Sequence, residues 1–238
     1  MLALSVHSVI IGADISQQII MGKKIQKISN LKNPESFFQL NTIKGFKYID
    51  KAGEIVNAYH IEENVPSFSM GLEGLVIEKP KDKIDILKIT SQTIWAKFSQ
   101  INSLDMIIRL FVQEASNIIN ILEVEKINRI GWRNYFIYDF IDKTKQDEYF
   151  KKLVTLNNLT LSTASFHIST KHDFKINLII QPVIKNDEQM TSGVLFDVDI
   201  YQTDNIDTKG ISTTLDSFRK YILDENDGLV NVLNGTFL

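Results

Sequence analysis

Cysteine is absent from this chain of 238 residues, so disulfides and thiolate metal sites are excluded. Proline is scarce: Pro34, Pro66, Pro80 and Pro182 are read as turns, a loop and the weakened end of a strand. No excess of positive charge exists. Lys and Arg total 26 against 29 Asp and Glu, a formal net charge of -3. Non-specific nucleic-acid binding needs a clustered cationic footprint, so it is not supported; a local basic groove stays open. No uninterrupted apolar run is long enough to predict a membrane-spanning helix. The start, MLALSVHSVIIGADIS, lacks a basic n-region and is broken by His7 and Gly12, so it is not expected to be a signal peptide. The expected compartment is the cytoplasm. No GxSxG, P-loop or GxGxxG motif occurs. His7, His60, His167 and His172 lack metal-ligand spacing. No cofactor, no metal and no catalytic residue is therefore assigned.

What is present centres on 103–140. Leu104, Ile107, Ile108, Phe111, Ala115, Ile118, Ile119 and Leu122 recur at helical steps and predict one long amphipathic helix. Ser103 is its expected N-cap, and Asp105 puts negative charge in its first turn. Arg109, Gln113, Glu114, Asn117 and Asn120 are expected on the solvated face. The period then switches to two, predicting a strand from Glu125 to Phe140. Ile130, Trp132, Phe136, Tyr138 and Phe140 form its core face. Arg129, Gly131, Arg133, Tyr135, Ile137 and Asp139 form the other.

Elsewhere the pattern predicts a strand over 3–11 and ambiguous structure over 15–28. A turn is expected at Asn33-Pro34, and a hairpin of 45–49 with 54–61. Residues 62–70 are read as a loop, 71–78 as a strand and 79–82 as a turn. A second hairpin pairs 84–89 with 93–98. After 140 come a short helix to about 156, a hairpin of 159–168 with 174–184, and a strand over 193–201. A loop carrying Asp204 and Asp207 follows, then a helix from about Leu215. The fold class is α+β: antiparallel sheet with two long helices packed on one face, the halves similar in order. No Gly/Ser/Pro-rich linker interrupts the chain. One compact unit over 1–238 is expected, with subdomains 1–123 and 124–238 as the alternative.

Four charged residues carry the site reading. Arg129 and Arg133 share one face of their strand, and Asp197 and Asp199 share one face of theirs. Facing arginines suit a carboxylate or phosphate. Paired carboxylates suit Mg²⁺ only with further acids, for which Asp204 and Asp207 are the near candidates. The simplest expectation is that the arginines pair with the aspartates across neighbouring strands. Were that network mostly buried, losing one partner would cost about 3–5 kcal/mol.

The segment from Ile127 to Tyr135, INRIGWRNY, resembles the R-L-G-L-R-Y-x-N segment of a sporadically distributed family of uncharacterised prokaryotic proteins of about this length. The strand Phe196-Asp197-Val198-Asp199 resembles that family's L-D-x-D strand, and the helix with Leu215, Phe218 and Ile222 resembles its closing helix. Arg129, Gly131, Arg133, Asp197 and Asp199 match; Trp132, and Asn134 before Tyr135, depart from the pattern. The likeness covers the second half and little of the first. It implies no established activity, and its patchy occurrence implies mobile-element or anti-phage neighbourhoods.

Three functional expectations follow. The first is a non-enzymatic interaction or scaffold subunit of a prokaryotic assembly, with a protein partner or self-association and no membrane. It is motivated by wide apolar helix stripes and exposed strand edges. The second is a Mg-dependent phosphoryl-transfer or nuclease-like enzyme using Asp197 and Asp199. The third is an anion-binding module using Arg129 and Arg133.

Overall fold

The computed structural model describes residues 27–28, 31–42, 45, 47–59, 66–81, 83–99, 101, 103–140, 143–153, 163–169, 174–184, 192–223, 229–230 and 233. The strand expected over 3–11, most of the ambiguous stretch over 15–28, and the histidines His7, His60 and His172 lie outside the described residues.

Among the described residues nine strands form one antiparallel sheet: β1 (Lys32–Thr42), β2 (Ser67–Gly71), β3 (Gly74–Lys81), β4 (Ile84–Ile89), β5 (Thr93–Ser99), β6 (Lys126–Asp139), β7 (Ala164–Ser169), β8 (Lys175–Ile184) and β9 (Ser192–Asp207). The helices bounded among the described residues are α1 (Lys47–Asp50), α2 (Ala52–Tyr59), α3 (Leu104–Leu122), α4 (Lys143–Leu153) and α5 (Ile211–Leu223). The strand order is β2-β3-β4-β5-β1-β6-β9-β8-β7, so β1 is the central strand. Strands from both halves of the chain thus share one sheet, joined where β1 pairs with β6. No helix among the described residues is long and apolar enough to cross a membrane.

Strict alternation makes one face of the sheet the core. In β1, Ser36, Phe38, Leu40 and Thr42 are buried while Phe37, Gln39 and Asn41 are half-buried. Across the sheet, Leu87, Ala96, Phe38, Trp132, Ile200 and Ile176 stand in one register row. All six are fully buried. Phe38 stacks on Phe111 of α3, with ring centroids 4.6 Å apart. Phe174, just before β8, meets Phe218 of α5 edge-on at 5.4 Å. Arg219 of α5 bonds Asp105 of α3 at 3.1 Å, tying the two helices together.

The central helix starts as its sequence dictates: Ser103 caps it, its hydroxyl accepting from the Met106 N–H. Its apolar stripe is consumed by the core, since Ile107, Ile108, Phe111, Ala115, Ile118, Ile119 and Leu122 are buried. Glu114 departs from expectation. It is fully buried, and Lys81 reaches it at 2.6 Å.

Other elements also differ from expectation. The central strand β1 runs through the turn expected at Asn33-Pro34 and on to Thr42. Pro34 is tolerated because the β1–β6 register slips between Lys32 and Glu35, so no regular ladder bond is lost there. The hairpin expected over 45–61 is helical, as α1 and α2. Tyr48, Ile55 and Tyr59 are buried at steps of seven and four, a helical spacing. Residues 67–71 are strand β2 and not loop. The turn expected at 79–82 is a bulge inside β3, with Lys79 at φ 51°. β9 runs past 201 to Asp207, where that side chain caps a short 3-10 turn by accepting from the Lys209 N–H at 2.9 Å.

Candidate functional site

The second face of the sheet alternates with the core face and is only half-buried. One register row across it reads Lys97, Phe37, Arg133, Asp199, Asn177, His167. The next reads Trp95, Gln39, Gly131, Tyr201, Lys175. Tyr135 faces Asp197 on one side of these rows, and Arg129 faces Thr203 on the other. The structure therefore brings all four site residues read from sequence onto one patch of β6 and β9.

Their pairing is diagonal. Arg133 stands opposite Asp199 but bonds Asp197, Nε donating to Oδ1 at 2.7 Å and Nη2 to Oδ2. Arg129 reaches inward to Asp199, Nη2 donating to both carboxylate oxygens at 3.0 and 3.2 Å. Gly131 makes this reach possible. A Cβ there would stand 2.5 Å from Nη1 of Arg129, so the guanidinium lies in the slot left by the missing side chain. The same guanidinium sits 4.8 Å from the Tyr201 ring centroid, a cation–π contact. The R-x-G-x-R spacing is thus an Arg folded over a Gly beside an Arg that extends.

The network is more than half covered, and unevenly so. The Arg133 side chain is 46% exposed, whereas that of Asp197 is 8% exposed. Arg133 is the wet end of the network and Asp197 its floor, while Arg129 and Asp199 are alike at 21% and 22% exposed. Burial raises the Asp199 pKa above its ordinary value of 3.8, against the opposing pull of Arg129 and Arg133; Asp197 adds to the rise. The hydrogen bond to Asp197 holds Arg133 more firmly protonated than usual, with burial opposing. Burial also raises the Tyr135 pKa, and Arg133 works against that rise.

A raised pKa means the folded state holds the Asp199 proton better than the unfolded chain does. The stability this group contributes therefore falls as pH rises from the ordinary value through the folded one. Asp199→Asn should cost no more than about 1 kcal/mol at neutral pH, the scale of one net hydrogen bond. The wild type should gain on the variant as pH falls towards the ordinary carboxylate range. Urea titrations at several pH values check this; a wild-type advantage that grows with rising pH would contradict it.

Aromatic rings wall the patch. Phe37 stacks on Trp95 at 5.6 Å and meets Tyr135 edge-on at 5.3 Å. Arg133 lies 5.4 Å from the Tyr135 centroid, and Lys97, paired with Glu35 at 2.7 Å, lies 5.7 Å from that of Phe37. Between the rings and the two arginines is a pocket of about 190 Å³. That is smaller than the roughly 300–1,000 Å³ of a typical small-molecule site. It suits one inserted side chain or a small anion better than a nucleotide cofactor.

Metal chemistry finds less here. Both carboxylates of the pair already accept guanidinium bonds. Asp207 caps its turn, and Asp204 accepts from the Thr203 hydroxyl at 3.2 Å. Among the described residues no three His, Asp or Glu side chains are grouped to hold an ion. His167 bonds Asn177 at 2.6 Å across β7 and β8.

Sequence reasoning missed Phe37 and Gln39, because it missed β1. The signal was there: Ser36, Phe38, Leu40 and Thr42 alternate with polar or aromatic neighbours, and only Pro34 hid the strand. Neither a protein-family model nor a curated protein matches this chain.

Proposed function

We propose that this chain is a non-enzymatic interaction subunit of a protein assembly, using the half-buried sheet face as its binding surface. The observation that carries this reading is the patch itself. Phe37, Trp95 and Tyr135 stand beside Arg129 and Arg133 around one small pocket. Rigid aromatics and arginine are the residues that dominate binding energy at protein interfaces. The helix stripes are spent in the core, so this face supplies what they do not.

The reading takes α3 and α5 as one helical layer over the opposite face. Support comes from Phe111 on Phe38, Phe218 on Phe174, and the Arg219–Asp105 pair. It also takes the halves as similar. β1 and β6 are each followed by helix, then by a meander whose last strand returns to pair with it, then by a long helix. Self-association belongs to the same reading, as does a prokaryotic setting of the defence or mobile-element kind that the resemblance implies.

The anion-binding reading joins this one at a single point. The described bonds use Nε and Nη2 of Arg133 and Nη2 of Arg129. The remaining guanidinium N–H groups have no described protein partner, so an acidic side chain of the partner is the anion that fits. The Mg-dependent reading would require Asp197 and Asp199 to give up their arginines first.

The test is affinity capture from source cells with the tagged chain. Trp95→Ala and Arg133→Glu should each lower partner recovery at least about tenfold, the scale of a 1.4 kcal/mol contact. Lys151→Glu, exposed on α4, should leave recovery unchanged. Equal recovery with all three variants would overturn the reading.

A further inference from the structure

We infer that the chain pairs with a second copy of itself through β2, extending the sheet across a two-fold axis. This deepens the self-association part of the reading above and does not use the arginine patch. β2 is an edge strand in the sheet order, so one side of its backbone has no strand partner among the described residues. Natural edges are blunted by charge, proline or a bulge. Within its bounds β2, Ser-Phe-Ser-Met-Gly, has neither charge nor proline, and it pairs with β3 without a register shift.

Apolar surface gathers at this edge. The exposed large hydrophobics among the described residues are Leu72 at 84%, Met70 at 57% and Ile49 at 38%. Leu72 follows β2 at the hairpin tip. Ile49 follows Tyr48, whose hydroxyl donates to the carbonyls of Gly71 and Leu72, holding α1 at the same tip. Met70 pairs with Leu75 and Phe68 with Ile77, and both partners are buried core residues. The core layer therefore runs out to β2, beyond which no strand follows among the described residues.

The strand is complementary to itself. Antiparallel pairing about Ser69 sets Phe68 of each copy opposite Met70 of the other, a favourable sulfur–aromatic pair. It also sets Ser67 opposite Gly71. No like charges face each other, which would destabilise such a pair. A partner strand rich in charge would lack this match.

The test uses the full chain and light scattering over a concentration series. The wild type should reach twice the 27.2 kDa monomer mass. Ser69→Lys and Ser69→Asp each place like charges opposite each other at the axis, and each should raise the dimer Kd at least about tenfold. Mixing the two variants should restore the dimer as a heterodimer, which a merely misfolded variant cannot do. A wild-type dimer indifferent to both substitutions would overturn the β2 contact while leaving self-association standing. A wild-type monomer at every concentration would overturn both, and Trp95→Ala capture would still judge the sheet-face reading independently. Loss of a foreign partner from Ser69→Lys, with the wild type monomeric, would likewise overturn self-pairing in favour of a strand from another protein.

Discussion

Lys81→Met should lower the unfolding free energy by about 3–5 kcal/mol, the cost of leaving a buried charge uncompensated. Glu114 has no solvent exposure, and Lys81 supplies its ion-pair contact at 2.6 Å. Its other oxygen and the buried Tyr59 hydroxyl make no hydrogen bond of regular geometry, although the two groups lie close enough to interact. Burial first, and Glu114 second, hold the Tyr59 proton well above the usual phenol range, so the tyrosine stays neutral. Lys81 is the ion-pair partner described for Glu114. Replacing both, Lys81→Met with Glu114→Leu, should recover most of the loss, because a buried ion pair is often no better than a packed apolar pair. Urea unfolding of both single variants and the double variant measures the coupling. A Lys81→Met cost below about 1 kcal/mol, the range of a surface pair, would show that the charge is not buried as described.

Phe38→Ala should cost about 3–5 kcal/mol, the range for emptying a buried phenylalanine site. Phe38 is fully buried on the central strand. Its ring stacks on Phe111 at 4.6 Å and Trp132 at 5.5 Å, and meets Phe98 edge-on at 5.5 Å. It therefore touches the helix above and the strand on either side. A cavity there cannot close by moving one element alone. Thermal and urea unfolding check the figure, and a cost below about 1.5 kcal/mol would mean that the layers collapse onto each other freely.

These two positions show what the sequence reveals and what it hides. The helix over 104–122 and the strand over 126–139 are legible because each holds one period over most of its length, the strand's being interrupted by the bulge between Ile127 and Arg129. Glu114 is misplaced by a reading that sorts residues by polarity. Its position, three after Phe111 and four before Ile118, lies on the apolar stripe, and only tertiary structure supplies the lysine that makes burial tolerable. Phe38 is missed for another reason. Pro34 weighs as a turn signal locally, but the bulge that accommodates it exists only once β6 is paired alongside. At the site, the four charges and their shared faces are legible from spacing. The diagonal pairing is not, because it depends on register and on the Gly131 slot. Trp95 and Phe37 become neighbours only when β1 and β5 align.

The most direct measurement on the sheet face is acrylamide quenching of tryptophan fluorescence. Trp95 is half-buried on the patch, whereas Trp132 is fully buried on the core side with its N–H donated to Ser36 at 2.6 Å. In a Trp132→Phe chain the emission of Trp95 should be readily quenched when the chain is alone and protected when the captured partner is bound. In a Trp95→Phe chain the remaining Trp132 should resist quenching in both states. Unchanged quenching of Trp95 in the complex would contradict the assignment of this face as the binding surface.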